Sequence, residues 1–264
     1  MLTLKMKKGK GERFMTLKEY FEVNKKVAVA FSGGVDSAYL LYAAVKAGAD
    51  VKAYCVKSAF QPEFEFDDAV KLAERIGCTL RVICVDVLSD ERVTANPWNR
   101  CYYCKQHIMG AITEAAKADG YDIVCDGTNA SDDAGDRPGF RALGEYGIKS
   151  PLRECGLTKE DIRKASREAG LPTWNKPAYA CLATRIRTDE IITEEKLMVT
   201  EKAESILADM GFRDFRVRMR GNNALCQFTE SQLAEAFVRE EEIKEALLEL
   251  YKEVNIDGSP RISR

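Results

Sequence analysis

Several things are missing from this sequence, and each absence narrows what the chain can be. No window approaches the ~18 consecutive apolar residues of a membrane-spanning helix, which argues against a membrane role. The basic residues between Lys5 and Lys10 are not followed by an apolar stretch, so this region does not read as a secretory signal. With 40 Lys and Arg against 42 Asp and Glu, the formal net charge is −2, without the cationic excess that draws a protein to nucleic acid. The nine cysteines are odd in number and, lacking an export signal, belong to a reducing, cytoplasmic compartment. That speaks against a disulfide framework and for thiol or metal chemistry. His107 is the only histidine, the residue that a Cys3His zinc site would need.

What is present is the composition of a soluble globular protein. The chain has 264 residues, 45% hydrophobic and 31% charged, enough for one large domain or one domain with an appendage. Its most informative stretch is Val27-Ala-Val-Ala-Phe-Ser-Gly-Gly-Val-Asp-Ser37. Five apolar residues read as a strand buried on both faces. Ser32, Gly33 and Gly34 interrupt it, and Asp36 and Ser37 are expected to cap a helix that runs to Gly48. Strand, glycine turn and helix N-terminus aim backbone N–H groups and the helix dipole at one spot, which suits phosphate. The lysine of a P-loop is absent. An ordinary glycine turn is the plain alternative.

A short amphipathic helix is expected over residues 12–24, with Phe14, Leu17 and Phe21 on one side. Strands are expected at 51–56, 79–87 and 121–125, with a helix at 66–76 ended by Gly77. This alternation implies an α/β fold with a doubly wound parallel sheet, whose ligands bind beyond the carboxyl ends of the strands. Cys55, Cys84 and Cys125 within strand patterns, and Cys78 just before one, read as core thiols. After the fourth strand, Asp126 and Thr128 lie at the ligand edge and suit Mg²⁺ or the ribose and pyrophosphate of a nucleotide. For Asp132 and Asp133 a solvated acidic turn fits equally well. Thr158-Lys-Glu-Asp161 is a capping-box arrangement opening another helix.

Cys101-x-x-Cys104 is expected on a loop that enters a helix at about Lys105, a metal or redox motif unless the spacing is coincidental. His107, one turn on, reads as a surface residue. A second irregular stretch, 174–185, places Cys181 beside Arg185 and Arg187, a setting expected to lower the thiol pKa. Beyond Thr188 the pattern is that of a small α+β appendage: a helix at 193–210, strands at 214–220 and 224–228, and helix within 231–254. The expected domains are therefore 1–187 and 188–264. Arg216, Arg218 and Arg220 share one side of the first of these strands. They form either an exposed cationic face or a phosphate clamp turned toward the glycine loop.

Ser-Gly-Gly-Val-Asp-Ser resembles the signature of the PP-loop ATP pyrophosphatases, which cleave ATP between the α- and β-phosphates and leave AMP on a carboxylate or carbonyl oxygen. Over nearly its whole length the chain is similar to one family among them, the LarE-type ATP-dependent sacrificial sulfur transferases. The resemblance rests on Arg-Cys-x-x-Cys-Lys at 100–105, Asp-Gly-Thr-Asn-Ala at 126–130, Arg-Pro-Gly at 137–139 and Ser-Pro-Leu at 150–152. Lys-Pro-Ala-Tyr-Ala-Cys-Leu-Ala-Thr-Arg at 176–185, the Ile-Thr-Glu-Glu-Lys-Leu helix at 192–197 and the Arg-Val-Arg strand at 216–218 complete it. Thr184 stands where the family more often has serine, and the tail after Val254 looks shorter than usual.

The resemblance implies sulfur insertion into a pyridinium-3,5-biscarboxylic acid mononucleotide, on the way to the nickel-pincer nucleotide of lactate racemase. Each carboxylate would be adenylated with ATP and Mg²⁺, then converted to a thiocarboxylate with loss of AMP. It implies that Ser32, Gly33, Gly34, Asp36, Ser37, Asp126, Thr128 and Arg185 serve the nucleotide, that Arg216 and Arg218 bind substrate phosphate, and that Glu204 lies near the reacting sulfur. Cys101, Cys104 and Cys181 match members whose three cysteines hold a 4Fe-4S cluster with one iron free for sulfide. Other members sacrifice the sulfur of the single cysteine equivalent to Cys181. The implied partners are a small-molecule nucleotide, sulfide or another sulfur donor, and further copies of the chain in a homo-oligomer. Two other classes compete. A tRNA thiolase is opposed by the near-neutral charge and the lack of an added RNA-binding domain. An ammonia-using synthetase with zinc on Cys101, Cys104, His107 and Cys181 lacks a glutaminase nucleophile.

Overall fold

A computed structural model of the chain describes residues 15–132 and 138–262. It opens with α1 (Leu17–Val23), started by a capping box between Thr16 and Glu19; the earlier part of the expected helix, Phe14 included, lies outside the described residues. β1 (Lys26–Ala30) and α2 (Val35–Lys46) flank the glycine loop, followed by β2 (Asp50–Lys57), α3 (Glu63–Ile76) and β3 (Leu80–Cys84). Then come α4 (Glu91–Thr94), α5 (Arg100–Ala118), β4 (Val124–Cys125), α6 (Pro138–Glu145), α7 (Pro151–Glu154) and α8 (Lys159–Glu168). Two 3₁₀ turns, Pro172–Asn175 and Leu182–Arg185, lead to α9 (Glu194–Asp209), β5 (Arg216–Arg220), β6 (Asn223–Gln227), α10 (Glu230–Val238), α11 (Glu240–Leu247) and β7 (Glu253–Ile256).

The first sheet is parallel throughout, in the order β3-β2-β1-β4. The chain builds outward from β1 to β3 and then returns to the other side of β1 for β4. The crevice created by this reversal lies beyond the carboxyl ends of β1 and β4. Side chains alternate across β1: Val27 and Val29 pack with α1, α2, α7 and α8, whereas Ala28 packs with α5 and α6. Helices thus cover both faces, and each fully buried Val or Leu contributes ~1.5–3 kcal/mol of burial free energy. The expected doubly wound parallel α/β sheet is what the chain forms. Cys84 departs from expectation, because β3 is an edge strand and its thiol is exposed.

A second, smaller sheet has the order β5-β6-β7, with β5 and β6 antiparallel and β6 and β7 parallel. The helix expected within 231–254 is instead two helices and a strand. Val254 of β7 is buried under α9 and α11 while Glu253 and Asn255 face outward, a strand alternation too short to stand out beside the preceding helices. A further apolar cluster joins Phe60, Val87 and Val93 to Leu182, Ala183, Ile186, Ile192 and Leu197. That cluster seats the Cys181 segment between the two sheets. Among the described residues, no helix is long and apolar enough to cross a membrane.

Candidate active site

The loop after β1 needs its glycine. Gly33 has φ 75°, and a Cβ placed on it would come 2.7 Å from the Cβ of Ala69 on α3. Asp36 and Ser37 do not cap α2 as expected. The N-cap is Gly34, without a side-chain bond, and both residues lie inside the first turn. The Ser37 hydroxyl accepts from the Ser32 N–H at 3.3 Å and donates to the Gly34 carbonyl at 3.2 Å, bonding the loop across itself. The Gly34 N–H donates to the Ser32 hydroxyl at 3.4 Å, and the start of α2 opens into the cleft that Ser32, Gly34, Asp36 and Ser37 line.

Across the crevice, β4 delivers Asp126, Gly127 and Thr128. A Cβ on Gly127 would meet the Ser37 nitrogen at 2.9 Å, so this loop presses directly on the first turn of α2. Asp126 is buried and accepts from the Thr128 hydroxyl at 2.5 Å and the Ser150 hydroxyl at 2.7 Å, which fixes its carboxylate at the cleft wall. Asp132 also lines the cleft and accepts from the Asn129 N–H at 3.0 Å; Asp133 lies outside the described residues.

One cation was not anticipated. The Thr158–Asp161 capping box opens α8 and makes Lys159 its first residue, and the Lys159 ammonium pairs with Asp36. Asn129 donates to the other oxygen of Asp36 at 3.4 Å. Burial pushes the Asp36 carboxyl above its usual range, more than Lys159 pulls it down. A lysine thus stands beside the glycine loop, brought there by a helix more than a hundred residues downstream. The capping box marked where α8 begins, but no local pattern says what Lys159 reaches.

The cysteines arrive from two directions. α5 begins at Arg100, so Cys101 and Cys104 sit in its first turns and not on a preceding loop. Cys104 and Cys181 line the same cleft as the glycine loop. The Arg100 guanidinium stands between thiols, 3.8 Å from the Cys101 sulfur and 3.9 Å from that of Cys181. It is held by the Asn96 side chain at 2.6 Å and the Ala183 carbonyl at 3.1 Å. Asn96, buried and at φ 54°, also donates to the Arg187 carbonyl at 2.8 Å. Together Asn96 and Arg100 tie the start of α5 to the Cys181 segment.

Cys181 is not the low-pKa thiol expected from its sequence neighbours. Burial pushes it up, and Arg100 and Arg185 oppose that only in part. Cys104 is pushed up to about 12 by burial and by the nearby Cys181 and Cys101 thiols. His107 is turned elsewhere, with Nε2 2.7 Å from Asp90, whose carboxyl Arg92 and His107 hold well below the usual range. Among the described residues, no three of His, Cys, Asp and Glu lie close enough to hold a single metal ion.

The remaining expected site residues form the support of the Cys181 segment. Arg185 is fully buried and meets Glu204 through two bonds, Nε to Oε1 at 2.8 Å and Nη2 to Oε2 at 3.0 Å. It also donates to the Ala180 carbonyl at 2.7 Å and to that of Cys181 at 3.3 Å. Glu204 additionally accepts from the Val217 N–H at 2.9 Å and from the Tyr179 hydroxyl, so all of its acceptor positions are used. The Tyr179 ring lies between two guanidinium groups, 4.5 Å from Arg185 and 4.8 Å from Arg216. Arg216 is buried and donates to the Ala178 carbonyl at 2.6 Å; Arg218 donates to that of Thr184 and to Gln227. Arg220 is exposed at the strand end. The side shared by Arg216 and Arg218 faces the Cys181 segment, neither as an open cationic face nor across empty space.

No protein-family model matches the chain. It is 31% identical to pyridinium-3,5-bisthiocarboxylic acid mononucleotide synthase of Lactiplantibacillus plantarum over 88% of this chain and 86% of that protein. The chain belongs to that LarE-type family. An uncharacterized protein of Synechocystis is 36% identical over 82% of this chain and 81% of its own length. More distantly, the tRNA-specific 2-thiouridylase MnmA of Thermotoga neapolitana is 25% identical over 78% of this chain and 71% of that enzyme. Among the positions singled out by the LarE-type resemblance, Ser32, Gly34, Asp36, Ser37, Asp126, Thr128, Cys104 and Cys181 share one cleft of about 510 Å³. Gly33, Cys101, Arg185, Glu204, Arg216 and Arg218 are not in its lining.

Proposed function

We propose that this protein is an ATP-dependent sulfur transferase that adenylates the carboxylates of pyridinium-3,5-biscarboxylic acid mononucleotide and converts them to thiocarboxylates, in the biosynthesis of the nickel-pincer nucleotide of lactate racemase. The observation that carries this reading is the meeting, in one cleft, of an open helix N-terminus suited to phosphate and the thiols of Cys104 and Cys181.

In this reading the N–H groups at the start of α2, with Ser32 and Ser37, receive the phosphates, and Lys159 adds charge from α8. Asp36, Asp126 and Thr128 face the nucleotide and its Mg²⁺. A substrate carboxylate oxygen attacks the α-phosphorus of ATP, the bond to the β-phosphate oxygen breaks, and pyrophosphate leaves. The acyl adenylate that results is a far better electrophile than the carboxylate. Sulfide sulfur then attacks the acyl carbon, the C–O bond to AMP breaks, and the electron pair leaves with AMP.

The three thiols suit a 4Fe-4S cluster better than a single ion. Such a cluster takes one thiolate per iron, so its ligands stand further apart than those of one zinc, and soft thiolates favour it. Cys101, Cys104 and Cys181 would be its ligands, with Arg100 giving way between two of them. When bound, the cluster would supply an iron with an open position for the incoming sulfide. Arg185, Glu204, Arg216 and Arg218 act by positioning the Cys181 segment; the phosphate grip expected of the two strand arginines would require them to leave the Ala178 and Thr184 carbonyls. A cytoplasmic location, a homo-oligomer and a division into units 1–187 and 188–264 complete the proposal. Light scattering and limited proteolysis test the last two.

The nucleotide products test the central step. With substrate present, ATP should yield AMP and pyrophosphate; ADP and phosphate in their place would refute the assignment. Cys101→Ala separates the two sulfur chemistries. If a cluster operates, this variant loses iron, brown colour and repeated turnover on added sulfide. Full activity with Cys181 converted to dehydroalanine would mean that the protein gives up its own sulfur.

A further inference from the structure

The cleft contains three lysines, and their surroundings differ. Lys159 is paired with Asp36. Lys176 is paired with Glu65 at 3.1 Å and Asp68 at 2.9 Å. Lys105 lines the same cleft with no acidic partner among the described residues, and its ammonium lies over the aromatic face of Phe140, 5.8 Å from the ring centre. That ring steadies a cation without neutralising it. Its stem is also constrained, since a Cβ on Gly139 would come 3.0 Å from the Lys105 Cδ. Gly139 therefore leaves the space that the lysine stem occupies.

Lys105 also has a particular place on α5. It follows Cys104, and Ile108, Met109 and Ile112 line the cleft at the three- and four-residue spacings that stack on one helix face. One face of α5 thus offers an apolar strip headed by an ammonium that no acidic side chain among the described residues pairs. A flat, apolar ring bearing an anionic substituent matches both parts. A charge-assisted contact to a carboxylate would be strong there, because the surroundings are partly desolvated.

We propose that Lys105 binds a carboxylate of the aromatic substrate and is a specificity-determining residue of this enzyme. The identity of the ring rests on the function proposed above; the carboxylate site itself does not. Bound carboxylate at Lys105 would hold the ring on the α5 strip, with Cys104 beside it and the phosphate-binding end of α2 across the cleft. A monocarboxylate would lack one of the two charges that Lys105 and the nucleotide end of the cleft can engage.

The test is calorimetric titration of the full-length protein with pyridine-3,5-dicarboxylate alone, using wild type, Lys105→Gln and Lys105→Arg, together with KM values for ATP and for the mononucleotide. The expected result is a loss of affinity for the dicarboxylate of about tenfold or more in Lys105→Gln. Lys105→Arg, which keeps the charge, should recover part of it, and the KM for ATP should stay within about twofold of wild type. Equal dicarboxylate affinity in all three proteins overturns the proposal. So does a KM for ATP that rises in step with that for the mononucleotide, because Lys105 would then belong to the nucleotide. If the binding contrast appears but wild type makes no AMP from any pyridinium carboxylate, the carboxylate site stands and the proposed reaction falls.

Discussion

At the scale of single residues, the buried Glu204 and the half-buried Asp36 show how differently two carboxylates can be placed. Glu204 is saturated: Arg185, Val217 and Tyr179 take all its acceptor positions, and it has none left for a proton in flight. Glu204→Gln leaves the fully buried Arg185 cation without its counter-charge, and removing one partner of such a pair costs ~3–5 kcal/mol. Chemical denaturation at neutral pH should show that loss, and a change below ~1 kcal/mol would mean that the pair is not closed as described. Asp36 is the opposite case. Its carboxyl pKa is raised in the folded protein, so folding favours the protonated form, and that contribution disappears as pH rises from the unfolded value through the folded one. At neutral pH the ionised Asp36 therefore costs stability. Asp36→Asn should melt higher than wild type at pH 7, with the gap closing as pH falls through the carboxylate range, while substrate-dependent pyrophosphate release is lost. A variant that melts lower than wild type at pH 7 would show that the Lys159 pairing outweighs the burial. The buried face of α9 carries Thr200, Ala203, Glu204 and Leu207, so an acid on an inward-facing helix position was visible in the sequence. Its partner was not, because Arg185 reaches it only through the tertiary fold.

At the scale of elements, the glycine loop between β1 and α2 was legible because the apolar run, the glycines and the helix pattern adjoin in sequence. The start of α5 was not. Cysteine and tyrosine are middling helix formers, so local preference put the boundary near Lys105, whereas the helix begins at Arg100, which is anchored on Asn96 and Ala183. That shift changes the chemistry: Cys101 and Cys104 become an i, i+3 pair on one helix face, and His107 turns to Asp90. His107→Ala should therefore leave the metal content of anaerobically purified protein unchanged. Loss of metal in that variant would restore the zinc reading. β7 escaped notice for another reason. It is short and pairs in parallel with β6 across two intervening helices, and no local signal specifies such a partner.

At the scale of the whole molecule, the second sheet serves as the back wall of the Cys181 segment. Arg216 and Arg218 reach from β5 to the Ala178 and Thr184 carbonyls, and α9 supplies Glu204 behind Arg185. Arg216→Ala should loosen residues 176–185, raising their hydrogen exchange, and should reduce activity equally on substrate analogues with and without the phosphate. A defect confined to the phosphate-bearing substrate would return Arg216 to the role of a phosphate ligand. The central claim is that activation of a carboxylate and delivery of sulfur are separate steps meeting in one cleft. Cys181→Ala tests it most directly, supplied anaerobically with ATP, Mg²⁺, sulfide and the dicarboxylate mononucleotide. The account predicts that pyrophosphate is still released, in a substrate-dependent burst, while no thiocarboxylate appears by mass spectrometry. Thiocarboxylate formed at the wild-type rate would contradict it.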